Sequence, residues 1–266
     1  MADQDQLRIE ALDGQINLAI APTEFKRNKL VDEAARNWDI FYKACSQYYR
    51  NTTNFFKDRH WIEREFPDLK ETEHGEPNSK KLLGCGVGNF VFPLLQSNKE
   101  FFIYACDYSK RAVDFVKASP NYDTSRCKGF VCDLTKDSLV DDVPESSLDI
   151  VSAIFMLSAV PPWKMPQVVA NIKQVLKPGG VILFRDYGLY DAAQLRFKAE
   201  NRIDDCFYAR SDGTFSYYFS KEYLKKLFEA DGFQIQECEY VKKEVVNRKE
   251  AKKMDRIFLQ ARIQKI

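Results

Sequence analysis

The chain reads as an α/β protein built on a doubly wound, mostly parallel sheet with an antiparallel final strand and a helical extension at its N-terminus. Three observations predict this. From about residue 80 onward short apolar runs alternate with helix-period patterns, the order that leaves strands parallel and helices on both faces. The stretch Leu82-Leu83-Gly84-Cys85-Gly86-Val87-Gly88-Asn89 joins the first apolar run to the first helical pattern. Glycines two apart let a strand turn sharply into a helix and let the backbone approach a ligand, although such a turn also serves plain tight connections. Finally, two strand-like runs, Phe233 to Val241 and Arg256 to Ile263, close the chain with no helix between them, so they can pair antiparallel at the sheet edge.

Composition narrows the class. A chain of 266 residues fits one large domain, or one domain with an extension, and 45% hydrophobic with 30% charged residues is ordinary for a globular protein. A net charge of +1 excludes a uniformly polycationic nucleic-acid binder and leaves room for local patches. The 20 Phe and 13 Tyr supply core and spare rings for stacking on a base. Seven cysteines form no C-x-x-C pair, which argues against a zinc site or a disulfide framework and for a reduced compartment. No apolar run approaches the roughly 20 residues of a membrane span, and Met1-Ala2-Asp3-Gln4-Asp5 is too acidic for a signal or transit peptide. The expectation is an intracellular protein, cytoplasmic or also nuclear.

Taken in order, residues 1–23 lack sustained periodicity and read as a flexible arm. Residues 24–70 read as a helical N-terminal region. Within it Phe25, Leu30, Ala34, Trp38, Phe41 and Tyr42 recur at helical spacing and predict an amphipathic helix ending near Ala44, whose plainer use is a packing face for the main domain. Asn54 to Trp61 then crowds Lys57, Asp58, Arg59 and His60 among Phe55, Phe56 and Trp61. Buried, those polar groups would each need a partner, so the segment is either a solvated helix face or a binding surface. Residues 71–80 are polar, contain Gly and Pro, and read as the linker to a main domain over 81–266.

In that domain the strands fall at Lys80–Leu83, Phe101–Cys106, Lys128–Cys132, Leu148–Phe155 and Val181–Phe184, with helices at Asn89–Gln96, Ser109–Ser119 and about Pro166–Leu176 between them. Lys177-Pro178-Gly179-Gly180 reads as the turn into the fifth strand. An aromatic and polar insertion occupies 186–216. Ser220–Ala230 is a helix capped by Ser220 and stopped by Gly232, and Lys242–Asp255 reads as a basic linker between the last two strands.

In an open parallel sheet ligands bind outside the carboxyl ends of the strands. There the glycine turn (Gly84, Cys85, Gly86, Gly88, Asn89) ends strand one, and Asp107, followed by Tyr108, ends strand two, placed to accept ribose hydroxyls. Asp133, followed by Leu134, ends strand three within reach of an adenine amine, and Ile154 and Phe155 end strand four. Each acid alone reads equally well as a helix N-cap; the series at successive strand ends points to a nucleoside. No Walker lysine follows the turn, the spacing is G-x-G-x-G rather than G-x-G-x-x-G, and the final antiparallel pair is foreign to a dinucleotide fold. At this point the chain resembles the class I S-adenosylmethionine-dependent methyltransferases, whose seven-stranded Rossmann-like sheet it is then expected to share. The resemblance implies that the turn holds the methionine part, Asp107 the ribose and Asp133 the adenine, with S-adenosylhomocysteine as product. Where the family pattern has an acid two positions before the first glycine, this chain has Leu82.

A closer resemblance runs along nearly the whole chain. Asn37 to Tyr42, Asn54 to Trp61, Tyr122-Asp123, Cys132 to Thr135, Phe184-Arg185-Asp186-Tyr187-Gly188-Leu189-Tyr190-Asp191 and Arg210 to Thr214 are similar to the tRNA 3-methylcytidine methyltransferases. This implies methyl transfer to N3 of cytosine 32 in the anticodon loop. Asn51-Thr52-Thr53-Asn54 resembles the serine-tRNA subgroup, which implies seryl-tRNA synthetase as a partner. Cytosine N3 has a free lone pair once unpaired, so the site needs positioning more than a strong base. The rings expected to hold the flipped base are Phe56, Trp61, Phe155, Tyr187 and Tyr190, each worth about 1–3 kcal/mol where it stacks. Methylation leaves a cation, and Asp186, then Asp58, are the carboxylates expected to stabilise it, with Arg185 beside them. Lys57, Arg59, Arg185 and Arg210 are expected to hold phosphates, with His60 in the same surface. From Val241 to Ile266 nine Lys/Arg stand against three Asp/Glu, either a solvated edge or an RNA contact. Two other readings stay open at this point: a small-molecule methyltransferase with an aromatic lid, and a non-catalytic RNA-binding adaptor that keeps the fold.

Overall fold

The computed structural model describes residues 24–49, 59, 61–247 and 252–266. The expected arm over residues 1–23 lies outside the described residues, as do Phe56, Lys57, Asp58 and His60. The strands β1 (Lys80–Cys85), β2 (Phe101–Asp107), β3 (Cys127–Val131), β4 (Leu148–Ile154), β5 (Leu176–Tyr187), β9 (Phe233–Asn247) and β10 (Lys252–Lys265) form one sheet in the order β3-β2-β1-β4-β5-β10-β9. The first five run parallel, and β10 pairs antiparallel with both β5 and β9. The order reverses between β1 and β4, which opens a crevice at their carboxyl ends.

Helices cover both faces. Ile150 and Ile154 of β4, with Val181 and Leu183 of β5, pack in one apolar layer with α3 (Ile62–Glu65) and α4 (Val91–Ser97). The alternate residues Val151, Ala153, Ile182 and Phe184 pack in a second layer with α6 (Met165–Val175) and α7 (Lys221–Glu229). Side chains alternate along a strand, so a strand covered on both sides must be apolar throughout. That is why Phe101–Cys106 of β2 and Val181–Phe184 of β5 are legible as short apolar runs. Helix α5 (Lys110–Ala118) is capped by Ser109, which accepts from Ala112 N–H at 3.3 Å, and α7 by Ser220, which accepts from Tyr223 N–H at 3.0 Å.

Four expectations change. The N-terminal pattern resolves into α1 (Glu24–Asp32) and α2 (Ala34–Tyr49), so helix continues past Ala44. The turn at Lys177–Gly180 lies inside β5 as an irregularity, with the register against β4 shifting between Leu148 and Ile150 and Gly179 at φ +78°. The insertion carries its own three-stranded antiparallel sheet, β6 (Arg202–Asp204), β7 (Phe207–Ala209) and β8 (Phe215–Tyr217), whose rings are buried. The basic linker Lys242–Asp255 is for its described part a continuation of the hairpin, with Lys242 opposite Ile257 and Glu244 opposite Asp255. Charged residues are tolerated there because this part of the hairpin extends past Tyr187, the last residue of β5, and its faces are largely exposed.

Candidate active site

The crevice at the strand ends is a cavity of about 780 Å³. Its floor comes from the glycine turn. Gly86, at φ +91°, has open space where a Cβ would stand and donates its N–H to the Asp107 carboxylate. Gly84 and Gly88 serve the turn rather than the ligand. A Cβ at Gly84 would come to 3.2 Å from the Phe90 ring, and at Gly88, φ +97°, to 2.4 Å from that of Phe92. Cys85 ends β1 opposite Cys106, and Asn89 lines the cavity. Leu82 is wholly buried between Ile103 and Ile150, so no acid enters the cavity from that position.

Asp107, Tyr108, Asp133, Leu134, Ile154 and Phe155 line the same cavity. Burial pushes the Asp107 carboxyl up to about 7, against the N–H groups of Ser109, at 2.9 Å, and Gly86, which favour its ionised form. One oxygen of Asp133 accepts from Thr135 N–H and Oγ1 at 3.0 and 2.7 Å, and the other lies 3.4 Å from Lys136 Nζ. Among the described residues the Tyr108 hydroxyl and the Trp38 indole N–H are buried without a hydrogen-bond partner, and both residues line the cavity. A buried polar group left in that state is costly, and a polar ligand removes the cost. An open backbone at Gly86, a carboxylate for a diol and two unpaired polar atoms fit a nucleoside of the S-adenosylmethionine kind.

The opposite wall is aromatic and cationic. Phe155, Tyr187 and Phe258 form a ring cluster, with centroids 5.3 Å (Phe155–Tyr187), 5.5 Å (Phe155–Phe258) and 6.3 Å (Tyr187–Phe258) apart. Phe155 sits at φ +54°, a conformation costly for a large ring, held by its N–H donating to Arg185 C=O at 2.7 Å. Three guanidinium groups face these rings: Arg59 lies 5.2 Å from Phe155, Arg210 5.4 Å and Arg256 5.6 Å from Tyr187. Arg59 also donates to Ile154 C=O at 3.2 Å and, through its backbone N–H, to Asn89 C=O at 2.9 Å. The N-terminal region therefore bridges the glycine turn and the end of β4. Arg210 donates to the Tyr187 hydroxyl. Asn37 of α2 donates to Gly213 C=O at 3.0 Å and Asp39 accepts from Ser109 Oγ, which sets α2 across the mouth with Trp38, Phe41 and Tyr42 inward.

Three expected residues stand elsewhere. Arg185, expected to hold a phosphate, is 2% exposed. Its guanidinium pairs with Glu65, donates to Gln260 Oε1 at 3.0 Å and lies 4.4 Å from the Trp61 ring. Burial lowers it to about 10. It faces away from Asp186 because successive strand residues point to opposite sides. Asp186 is also wholly buried, behind Tyr187 rather than in the cavity. It accepts from the N–H groups of Ser158 and Tyr187, each at 2.9 Å, and from the Ser158 hydroxyl. Burial raises it to about 6, against those bonds. Tyr190, at φ +65°, donates its N–H to Gln194 Oε1 at 2.6 Å and does not line the cavity. Trp61 does line it, its ring centre 4.4 Å from the Arg185 guanidinium and 5.4 Å from Lys243 Nζ.

Sequence reasoning missed Arg256, Phe258, Ser158 and Trp38 as site residues. Arg256 and Phe258 are two apart on one strand and so share a face, but nothing local says that this face meets the end of β5. Among the described residues no helix is long and apolar enough to cross a membrane.

Known proteins resemble this chain. A family model described as a methyltransferase domain, Methyltransf_23, matches residues 59–237. The chain is 52% identical over 245 residues to the tRNA N(3)-cytidine methyltransferase METTL6 of Homo sapiens, covering 91% of this chain and 84% of that protein. It is 40% identical to the tRNA N(3)-methylcytidine methyltransferase trm141 of Schizosaccharomyces pombe, covering 90% and 95% of the two chains. Among solved structures it superposes on an S-adenosylmethionine-dependent methyltransferase of Anabaena variabilis with TM-score 0.62 and 13% identity, covering 87% of this chain and 95% of that one, a likeness of fold. With a strand order, a nucleoside cradle and a set of relatives that agree, the chain belongs to the S-adenosylmethionine-dependent methyltransferases and, within them, to the tRNA N(3)-cytidine methyltransferase family.

Proposed function

We propose that this chain methylates N3 of a cytidine in tRNA. The observation that carries the reading is a single cavity with a nucleoside cradle at Gly86 and Asp107 on one side and the Phe155–Tyr187–Phe258 cluster under three guanidinium groups on the other. The cofactor, when bound, supplies an electrophilic methyl group on a sulfonium. The chain supplies the placement. A cytosine taken out of its stack is held on the Tyr187 and Phe155 rings, with N3 turned toward the Gly86 side, and the guanidinium groups of Arg59, Arg210 and Arg256 meet its carbonyl or flanking phosphates. No side chain needs to remove a proton, because the attacking lone pair is free. The product base is a cation. Asp186, buried behind Tyr187, provides a fixed negative charge toward it and holds the Tyr187 backbone in place.

The finer reading is cytosine 32 of the anticodon loop in serine tRNA, with seryl-tRNA synthetase as a partner that presents the RNA; its support is the likeness of Asn51-Thr52-Thr53-Asn54 to the serine-tRNA subgroup. Labelled-methyl transfer to tRNA transcripts with and without a cytosine at position 32, each with and without the synthetase, tests both levels. Incorporation at that cytosine is expected. Cofactor binding without incorporation into any transcript removes the tRNA reading, and incorporation that ignores position 32 removes the finer one. Asp186→Ala is expected to lower turnover; unchanged turnover removes its role.

A further inference from the structure

Asp191 ends the Phe184–Asp191 string and does not line the cavity. Its carboxylate is wholly buried and holds three donors. Arg256 Nε reaches both oxygens, at 3.1 and 2.9 Å; Ile257 N–H reaches one at 2.7 Å; Ala193 N–H reaches the other at 2.8 Å. The chain arrives there by leaving β5 at Tyr187 and folding back on the hairpin. Gly188 N–H donates to Ile257 C=O at 2.9 Å, and a Cβ at Gly188 would come to 2.9 Å from Ile257 and 3.1 Å from Tyr240.

The far end of Arg256 is at the cavity. Its guanidinium carbon lies 5.6 Å from the Tyr187 ring centre and 5.3 Å from that of Phe258, and all three residues line the cavity. Among the described residues no acceptor takes its two terminal nitrogens, whereas its Nε is held from behind by Asp191. An arginine fork is useful in recognition because it is planar, and a carboxylate on Nε fixes that plane.

We infer that Asp191 is a positioning residue for methyl transfer: it fixes Arg256 so that the terminal nitrogens meet acceptor oxygens of the target nucleotide over the Tyr187 ring. This rests on the reading that the substrate is a tRNA cytidine. Asp191 itself touches no substrate. The competing role is a staple that only holds the 188–193 turn to the hairpin, since Ile257 and Ala193 N–H bond it too.

A double-mutant cycle on the full chain separates the two, using wild type, Asp191→Asn, Arg256→Met and the double variant. Labelled-methyl transfer to a tRNA transcript gives kcat and KM, and calorimetry gives affinity for S-adenosylhomocysteine. Each single variant is expected to lose about 100-fold in kcat/KM, mostly in kcat, as misplacement near the reacting atoms does. Cofactor affinity should stay within about 2-fold, and the double variant within about 2-fold of the worse single, because the two residues act as one unit. Multiplied losses, or wild-type rates in Arg256→Met, overturn the inference. If Asp191→Asn does not fold, Arg256→Lys decides: it keeps the charge without the Nε contact and is expected to be as slow as Arg256→Met, and full activity overturns the inference. A wild-type chain that binds S-adenosylhomocysteine but methylates no tRNA removes the functional reading and this inference with it; an active wild type with multiplied losses removes the inference alone.

Discussion

If Asp107 takes the ribose of the cofactor, it makes cofactor binding depend on pH. Burial holds its carboxyl near 7, and only the ionised form offers both oxygens as acceptors to the two hydroxyls of a ribose, so affinity for S-adenosylhomocysteine should rise as pH goes from 6 to 8 and level off above. The sign for stability is the reverse. A carboxyl raised above its unfolded value of 3.8 stabilises the free protein fully below that value, and the contribution is lost as pH climbs through about 7. Calorimetric titrations across this range check the first statement and ligand-free melting curves the second. At the aromatic wall, Tyr187→Ala should lower kcat/KM about 10- to 100-fold through lost stacking, whereas Tyr187→Phe keeps the ring and loses only the bond from Arg210. Equal losses in the two variants would make the hydroxyl, and not the ring face, the important part.

The element that joins the N-terminal region to the sheet is α3, through Glu65. Its carboxylate pairs with buried Arg185 on β5 and with Lys243 on β9 at 2.9 Å, and both cations lie against the Trp61 ring. Glu65→Ala leaves the Arg185 charge buried without its carboxylate and should cost about 3 kcal/mol. For a chain of this size that is a fall of about 6–12 °C in Tm, with a loss of tRNA methylation larger than any loss of cofactor affinity. Melting curves and calorimetry of the same variant read both. The polar stretch before β1, expected as a linker, is tied down by the buried Glu100 carboxylate. That group accepts from Thr72 N–H at 3.2 Å, from the Thr72 hydroxyl and from Lys80 Nζ at 2.7 Å. Lys80 and then Thr72 hold its carboxyl down to about 2, so its contribution is present above its ordinary value of 4.5 and fades as pH falls toward 2. Sequence composition marks such a stretch as polar; it does not show that a buried acid 20 residues away gathers its donors.

Over the whole molecule a net charge of +1 means that RNA must be held by local patches rather than a general field. One such patch is the β9–β10 hairpin, which passes the carboxyl end of β5 beside the cavity and exposes Lys242. If Lys242 meets a phosphate, Lys242→Ala should weaken binding about equally for all tRNA sequences and reduce the slope of log affinity against log salt by about 1. Filter-binding over a salt series measures it, and an unchanged slope excludes the contact.

The doubly wound sheet was legible in the sequence because strands buried on both faces must be unbroken apolar runs, and the glycine turn, Asp107 and Asp133 are legible because strand ends are where local pattern and ligand site coincide. The long strings from Phe55 to Trp61 and from Phe184 to Asp191 carried the family. What only the tertiary structure decided is which of their side chains face the cavity. Arg185 and Asp186 are adjacent in sequence yet lie on opposite sides of β5, one stapling the N-terminal region and the other buried behind Tyr187. Arg256 and Phe258, which the sequence placed on the last strand but not at the site, join Tyr187 because β10 pairs antiparallel with β5 in a register that sets Phe258 opposite Tyr187. Register between distant strands is set by packing over the whole sheet, and no local pattern contains it.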